Sequence, residues 1–434
     1  MVPSVERTVR AYQLIAGLYT LSASLIWGVN TLFLLDAGLD ILGVFVANAA
    51  FMASMAVFEV PTGVLADSRG RRASFLLSVA IVLLGTLCYL YAAASGGGLG
   101  WFVAASVVLG LGVTFYSVAV EAWLAAAGHA GGRDGVFARG AMVTGAAMLA
   151  GSVGGGVLGS LDLAWPFWVR AGLLALVFGV AWAAMHDVGF TPRRVRLAEL
   201  PGEMAAIARH SVALGWRRRA VRYLILMGLV QSAFLAWAFY AWQPYLLELL
   251  GQNAVWVAGV VTAALSLATI AGNALVNWFS RFCGQRTTLL ACAGAAMSLA
   301  AVGVGLVSSF WAAVALLVLV FGAMGVVRPV KQAYLHQAIP SAQRATVVSF
   351  DSLVASGGGA LSQWGLGALA QAQSIAAGFW VGGLASLLAL PAVALLRRLG
   401  EDEDRIVGEA GRRGPCAGQG LPKVTAVETT ARRA

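Results

Sequence analysis

Six ionisable side chains stand inside long apolar runs of this sequence: Glu59, Glu121, Arg170, Arg328, Lys331 and Asp351. Charges in such surroundings are expensive and are kept where they bind, pair or carry protons. A carboxylate there can be neutral in one state and charged in another, so Glu59, Glu121 and Asp351 are candidates for exchanging a proton. The competing reading is a fixed pair, Glu121 with Arg139 or Asp351 with Arg328, that holds one conformation. Other chemistry is unsupported. His129, His186, His210 and His336 are scattered, and Cys88, Cys283, Cys292 and Cys416 have neither metal spacing nor a disulfide pattern. No GxxxxGK[ST] loop occurs, so ATP drive has no basis and no cofactor or metal is expected.

The elements that must position these groups are long and apolar. Of 434 residues, 60% are apolar and 11% charged, and the mean hydropathy is +0.82. A soluble domain is roughly 45–50% apolar and about 25% charged, so the composition excludes disorder and an ordinary cytosolic enzyme and asks for lipid as solvent. Apolar stretches at about 12–35, 42–62, 74–94, 101–127, 137–159 and 165–186 could each cross a bilayer. Six more follow at about 221–247, 254–279, 287–307, 311–335, 344–369 and 375–396. The expected organisation is a helical bundle over 1–186, a central loop with an interfacial helix over 187–220, a second bundle over 221–399, and a disordered tail over 400–434.

Twelve crossings put both ends of the chain on one side. Arg69, Arg71, Arg72, Arg133, Arg139, the arginines of 187–220, Arg281, Arg286 and Arg344 fall on that same side. The opposite loops, around 36–40, 95–100, 159–164, 248–253, 308–310 and 370–374, contain no Lys or Arg. By the positive-inside rule the termini face the cytoplasm of a cell (inner) membrane. The net charge of +10 is then mainly topology and gives no reason to expect a nucleic-acid partner. The halves also match in order: Arg139-Gly140-Ala141-Met142-Val143 opens the fifth span as Arg344-Ala345-Thr346-Val347-Val348 opens the eleventh. Such a 6+6 duplication is a transporter signature. In span five, Gly151, Gly155 and Gly159 form a small-residue face for tight helix packing.

Between spans two and three the chain reads Gly63-Val64-Leu65-Ala66-Asp67-Ser68-Arg69-Gly70-Arg71-Arg72. Gly63 permits close helix approach, Gly70 a tight turn, and the arginines anchor the loop at an anionic leaflet. This run resembles the loop 2–3 signature of the major facilitator superfamily, G-x-L-A-D-[RK]-x-G-R-[RK], departing from it at Ser68. The second copy is eroded: Gly284-Gln285-Arg286 aligns with Gly70-Arg71-Arg72, but Arg281 stands where Asp67 would. Glu59-Val60-Pro61-Thr62-Gly63 and Glu121-Ala122-Trp123 further resemble bacterial members described as drug exporters.

The resemblance implies an all-α membrane protein of two six-helix bundles, with loop 2–3 acting as a cytoplasmic latch between them. It also implies a central cavity lined by spans one, four and seven, where Tyr19, Trp27, Tyr116, Gln231, Trp237 and Tyr240 lie, with Arg170 and Arg328 as further candidates. A wall of rings with a few acids suits bulky apolar or cationic solutes. The implied activity is proton-coupled efflux of such compounds by a monomer, with a small-molecule substrate, protons and the bilayer as partners. An importer or facilitator of a metabolite is the alternative, and a transport-inactive sensor or scaffold a remote one.

Overall fold

The computed structural model describes residues 5–127, 133–186, 216–252, 254–339 and 344–406, with the isolated positions 202 and 209. The interfacial helix expected within 187–220 lies almost wholly outside the described residues. The first half comprises α1 (Val5–Trp27), α2 (Asn30–Asp36), α3 (Ile41–Arg69), α4 (Arg71–Ala94), α5 (Leu99–Ala127), α6 (Arg133–Leu161) and α7 (Trp165–Ala184). The second comprises α8 (Arg219–Leu250), α9 (Val255–Phe279), α10 (Arg286–Leu306), α11 (Phe310–Ala338), α12 (Arg344–Ala372), α13 (Ile375–Ser386) and α14 (Ala389–Arg398). Among the described residues there is no named β-strand.

Among the described residues, ten segments are long and apolar enough to cross a membrane, eleven if the pair α1–α2, bent by 49°, is one span. α13 and α14 count as one of the ten. The remaining long helix, α12, has 29 residues but is rich in Gly, Ser and Gln, which lowers its apolarity. The α1–α2 bend falls at Gly28, where a Cβ would lie 3.1 Å from the Ala258 carbonyl of α9, so the break lets the two halves approach. Between α3 and α4 the connection is a single residue, Gly70, at φ +97°, a conformation that disfavours any side chain. Large apolar side chains such as Leu84, Trp101, Leu161, Trp311 and Leu361 are exposed on the outer surface, as a lipid-facing surface requires.

Each half has its own apolar core. One is built around Phe33, Phe75, Tyr89, Phe102 and Phe167; the other half holds a cluster around Leu224 and Tyr334 and one around Trp237 and Phe379, which also takes in Leu32 and Phe45 of the first half. The halves meet mainly through two helix pairs, α3 with α12 and α6 with α9, and also where α2 touches α8. Both pairs are tight at the end bearing the arginine-free loops. A Cβ on Gly367 would lie 2.6 Å from Cβ of Phe45, and one on Gly156 would lie 2.6 Å from Cα of Gly259. Within the first half, the predicted small-residue face of α6 packs on α1: a Cβ on Gly151 would lie 2.8 Å from the Leu21 carbonyl, and Gly155 lies against Leu25.

Residues 400–406 differ from the disordered tail expected from 400 onward. They form a 3-10 turn (Asp402–Asp404) and an antiparallel bridge between Arg405 and Gln285. The segment has no apolar periodicity; hydrogen bonds and a buried Asp404 fix it instead. Residues 407–434 lie outside the described residues.

Candidate functional site

A cavity of about 730 Å³ lies between the halves, walled by α1, α3, α5 and α6 on one side and α8, α9, α11 and α12 on the other. It extends toward the arginine-bearing end, where Glu59, Lys331, Gln332 and Asp351 line it. The opposite end is shut by buried contacts between α1–α2 and α8. Gln243 accepts from the Thr31 amide at 3.1 Å and donates to the Trp27 carbonyl at 2.7 Å, while the Thr31 hydroxyl donates to the Tyr240 carbonyl at 2.9 Å. Phe45 of α3 packs on Trp237 of α8, ring centroids 5.6 Å apart, and Gln371 of α12 accepts from the Leu42 amide at 3.3 Å. Further along the same helices, Met52, Met55 and Glu59 on α3 and Asp351, Ser352 and Ala355 on α12 line the cavity, as do Met148 on α6 and Thr269 on α9. The two cross-half pairs therefore diverge toward the arginine side.

The wall is apolar around a small charged group. Four methionines and the rings of Trp27, Phe51, Phe239 and Tyr240 supply adaptable and aromatic surface. Lys331 of α11 donates to both carboxylate oxygens of Asp351 at 2.6 and 2.8 Å, with side chains 10% and 19% exposed. Gly228 of α8 faces this pair; a Cβ there would lie 2.7 Å from Cε of Lys331. Arg328 stands one turn from Lys331 on the same helix, exposed to the cavity. Across from them, Glu59 is half-buried on α3. Neither Arg328 nor the Glu59 carboxylate has an ion-pair partner among the described residues.

The structure brings six of the sequence-derived candidates to this cavity: Trp27, Glu59, Gln231, Tyr240, Arg328 and Asp351. The fixed pair anticipated for Asp351 with Arg328 is corrected, because Asp351 pairs with Lys331. Lys331 lies one turn nearer the arginine-bearing end, level with Asp351 on α12, and Gly228 of α8, which packs against both helices, leaves room for its ammonium.

Other candidates lie elsewhere. Trp237 is fully buried between Phe45 and Phe379 and belongs to the closed end, not to the cavity lining. Tyr19 and Tyr116 stack on each other at 3.9 Å within the first bundle and are not lining residues. Arg170 is buried in that bundle and donates to Thr86 at 3.2 Å. The side chain of Glu121 on α5 lies outside those described, as do those of Asp67 and Arg69 at the end of α3. Gly63 makes no close approach here: among the described residues nothing lies within 4 Å of where its Cβ would be, since α3 has diverged from its partner by that level. Arg71 is half-buried. Arg72 donates to the Trp182 carbonyl of α7 at 2.6 Å and lies 5.2 Å over that indole.

A model of the Major Facilitator Superfamily matches residues 14–291 and, in a second match, 256–429. The chain belongs to the Major Facilitator Superfamily. Among solved structures, the nucleoside transporter NupG is similar at 10% identity and a TM-score of 0.72, over 90% of this chain and 98% of that one. A D-xylose-proton symporter is similar at 13% identity and TM-score 0.69, over 90% and 97%. The POT family transporter PepTSo is similar at 15% identity and TM-score 0.70, over 92% and 99%. These likenesses are of fold. No curated protein matches the sequence. This superfamily member is thus a multi-pass helical membrane protein with the fold of small-molecule transporters and a central cavity between its halves.

Proposed function

We propose that the protein is a proton-coupled secondary transporter of the cell membrane that works by alternating access. In this reading α1–α2 is one bent span, α13–α14 another span and α12 a weakly apolar one, giving twelve crossings with both termini and the arginine-bearing loops in the cytoplasm. The observation that carries the reading is the cavity between two half-molecules that are latched beyond one end of it. Rocking about that site would close the arginine side and open the other. Asp351 is the leading coupling residue: a proton on its carboxylate would release Lys331 from the pair. Glu59 and Glu121 remain candidates for the same role, and loop 63–72 for the latch.

The preferred substrates are hydrophobic or cationic small molecules, moved outward. Support comes from the methionine and aromatic wall and from Glu59, which lines it with no ion-pair partner among the described residues. A second reading, import of an anionic or polar metabolite, is favoured by Arg328 beside Lys331 on α11. Flux in proteoliposomes under an imposed pH gradient separates the two. Efflux reading predicts movement of a lipophilic cation against the proton flow; import reading predicts solute uptake with it. No proton-dependent flux of any of a broad compound panel would overturn both.

A further inference from the structure

The loop between α9 and α10 holds the eroded copy of the loop 2–3 motif, with Arg281 where the first copy has Asp67. A carboxylate nevertheless reaches this loop, from beyond the last helix. Asp404 is buried, accepts from the Thr287 amide at 2.8 Å through one oxygen, and accepts from the Thr287 hydroxyl at 2.7 Å through the other. The cap residue of α10, Gln285, has no side-chain hydrogen bond of its own to the helix start, so Asp404 satisfies a donor the helix leaves open. The backbone follows: Ile406 donates to the Gly284 carbonyl at 3.1 Å and Arg405 bridges to Gln285. Arg286 donates to the Glu403 carbonyl and, at 2.7 Å, to Gln337 at the end of α11.

The two halves therefore repeat one connection. In the first, Arg72 of the loop holds the carbonyl of Trp182 in the last turn of α7, the half's final helix. In the second, Arg286 at the aligned position holds Glu403, five residues past the end of α14. We propose that residues 402–406 form a clasp that supplies the carboxylate missing from the second loop, making Asp404 a positioning residue for closure of the arginine-bearing face. The inference rests on the alternating-access reading. On that face α9 and α6 must come together again, and the loop that ends α9 has to keep a fixed shape to meet the other half. Asp404 sets that shape without touching the cavity.

The test uses the full chain. In a background with Cys88→Ala, Cys292→Ala and Cys416→Ala, the remaining Cys283 is an internal reporter next to Gly284. Maleimide labelling of Cys283 and amide exchange over 286–290 are measured for the parent, Asp404→Asn, Thr287→Val and a chain ending at Gly400. Losing a helix cap of this kind predicts a rise of about five- to tenfold in both rates for Asp404→Asn and the shortened chain. Thr287→Val raises them less, and adds nothing to Asp404→Asn. Separately, spin labels at 139 and 278, both exposed, report the distance between α6 and α9 on this face. The ratio of closed to open populations falls about fivefold or more in Asp404→Asn.

Unchanged labelling and exchange would overturn the clasp. A loosened loop with an unchanged closed-to-open ratio would overturn its positioning role, leaving it a structural cap. A parent protein with a single distance under all conditions would instead overturn the alternating-access reading, while the Cys283 and exchange results still decide the clasp.

Discussion

Asp351→Asn is the perturbation whose consequences the structure fixes most closely. It removes a carboxylate that accepts two charge-assisted hydrogen bonds, at 2.6 and 2.8 Å, from a lysine whose side chain is only 10% exposed. Breaking a fully buried ion pair costs about 3–5 kcal/mol, because one charge is left uncompensated. Here the pair borders an open cavity and water can reach Lys331, so the cost falls toward the about 1.5–3 kcal/mol typical of hydrogen bonds to charged groups. The expected loss is about 2 kcal/mol. Lys331→Met alone should cost a similar amount, since it strands Asp351. The double variant, with neither charge, should cost less than the sum by about 1–3 kcal/mol. Thermal unfolding in detergent, followed by tryptophan fluorescence, measures the four corners of this cycle. Proteoliposome flux under a pH gradient adds the functional axis: Asp351→Asn should lose proton-driven transport by about tenfold or more, in line with general-acid/base losses. Additive stabilities would show that the two residues do not act as a pair. Full proton-driven flux in Asp351→Asn would refute the coupling assignment.

Three further outcomes follow from the same geometry. Glu59→Gln should leave stability within about 0.5 kcal/mol, because the carboxylate has no described partner, yet weaken competition by lipophilic cations in a flux assay. Gln243→Leu strands the Thr31 amide and the Trp27 carbonyl at the closed end, at about 1–3 kcal/mol in all; cysteine labelling at position 240 from the arginine-free side should rise. Gly156→Ala sets a methyl against the backbone of Gly259, so α6 and α9 must separate at a cost of about 1–3 kcal/mol, and the same labelling should increase.

Much of the fold is legible in the sequence because lipid leaves few options. Each long helix had a recognisable apolar run, and Gly70 had to sit where one residue joins two helices. Ionisable residues in those runs led to the cavity for Glu59, Arg328 and Asp351, since burying such a charge against lipid is prohibitive. Which ring faces the cavity was not legible. Trp237 and Tyr240 lie within one turn of a helix apolar on all sides, and only contact with Phe45 puts one in the closed end and leaves the other on the wall. Nor was the partner of Asp351: Arg328 and Lys331 share a face, and the offset between α11 and α12 decides between them. The ordered segment after α14 escaped notice because polar hydrogen bonds to a distant helix start leave no periodic trace.

If the two halves rock about the cavity, paired distances across its two ends must change in opposition. One label pair, at 139 and 278, spans the arginine-bearing face; another, at 161 and 256, spans the opposite face, and all four positions are exposed. The account predicts two populations at each pair that exchange in opposition as pH or a transported compound is varied, the first shortening as the second lengthens. Distances that stay fixed, or that change together in the same direction, would contradict it.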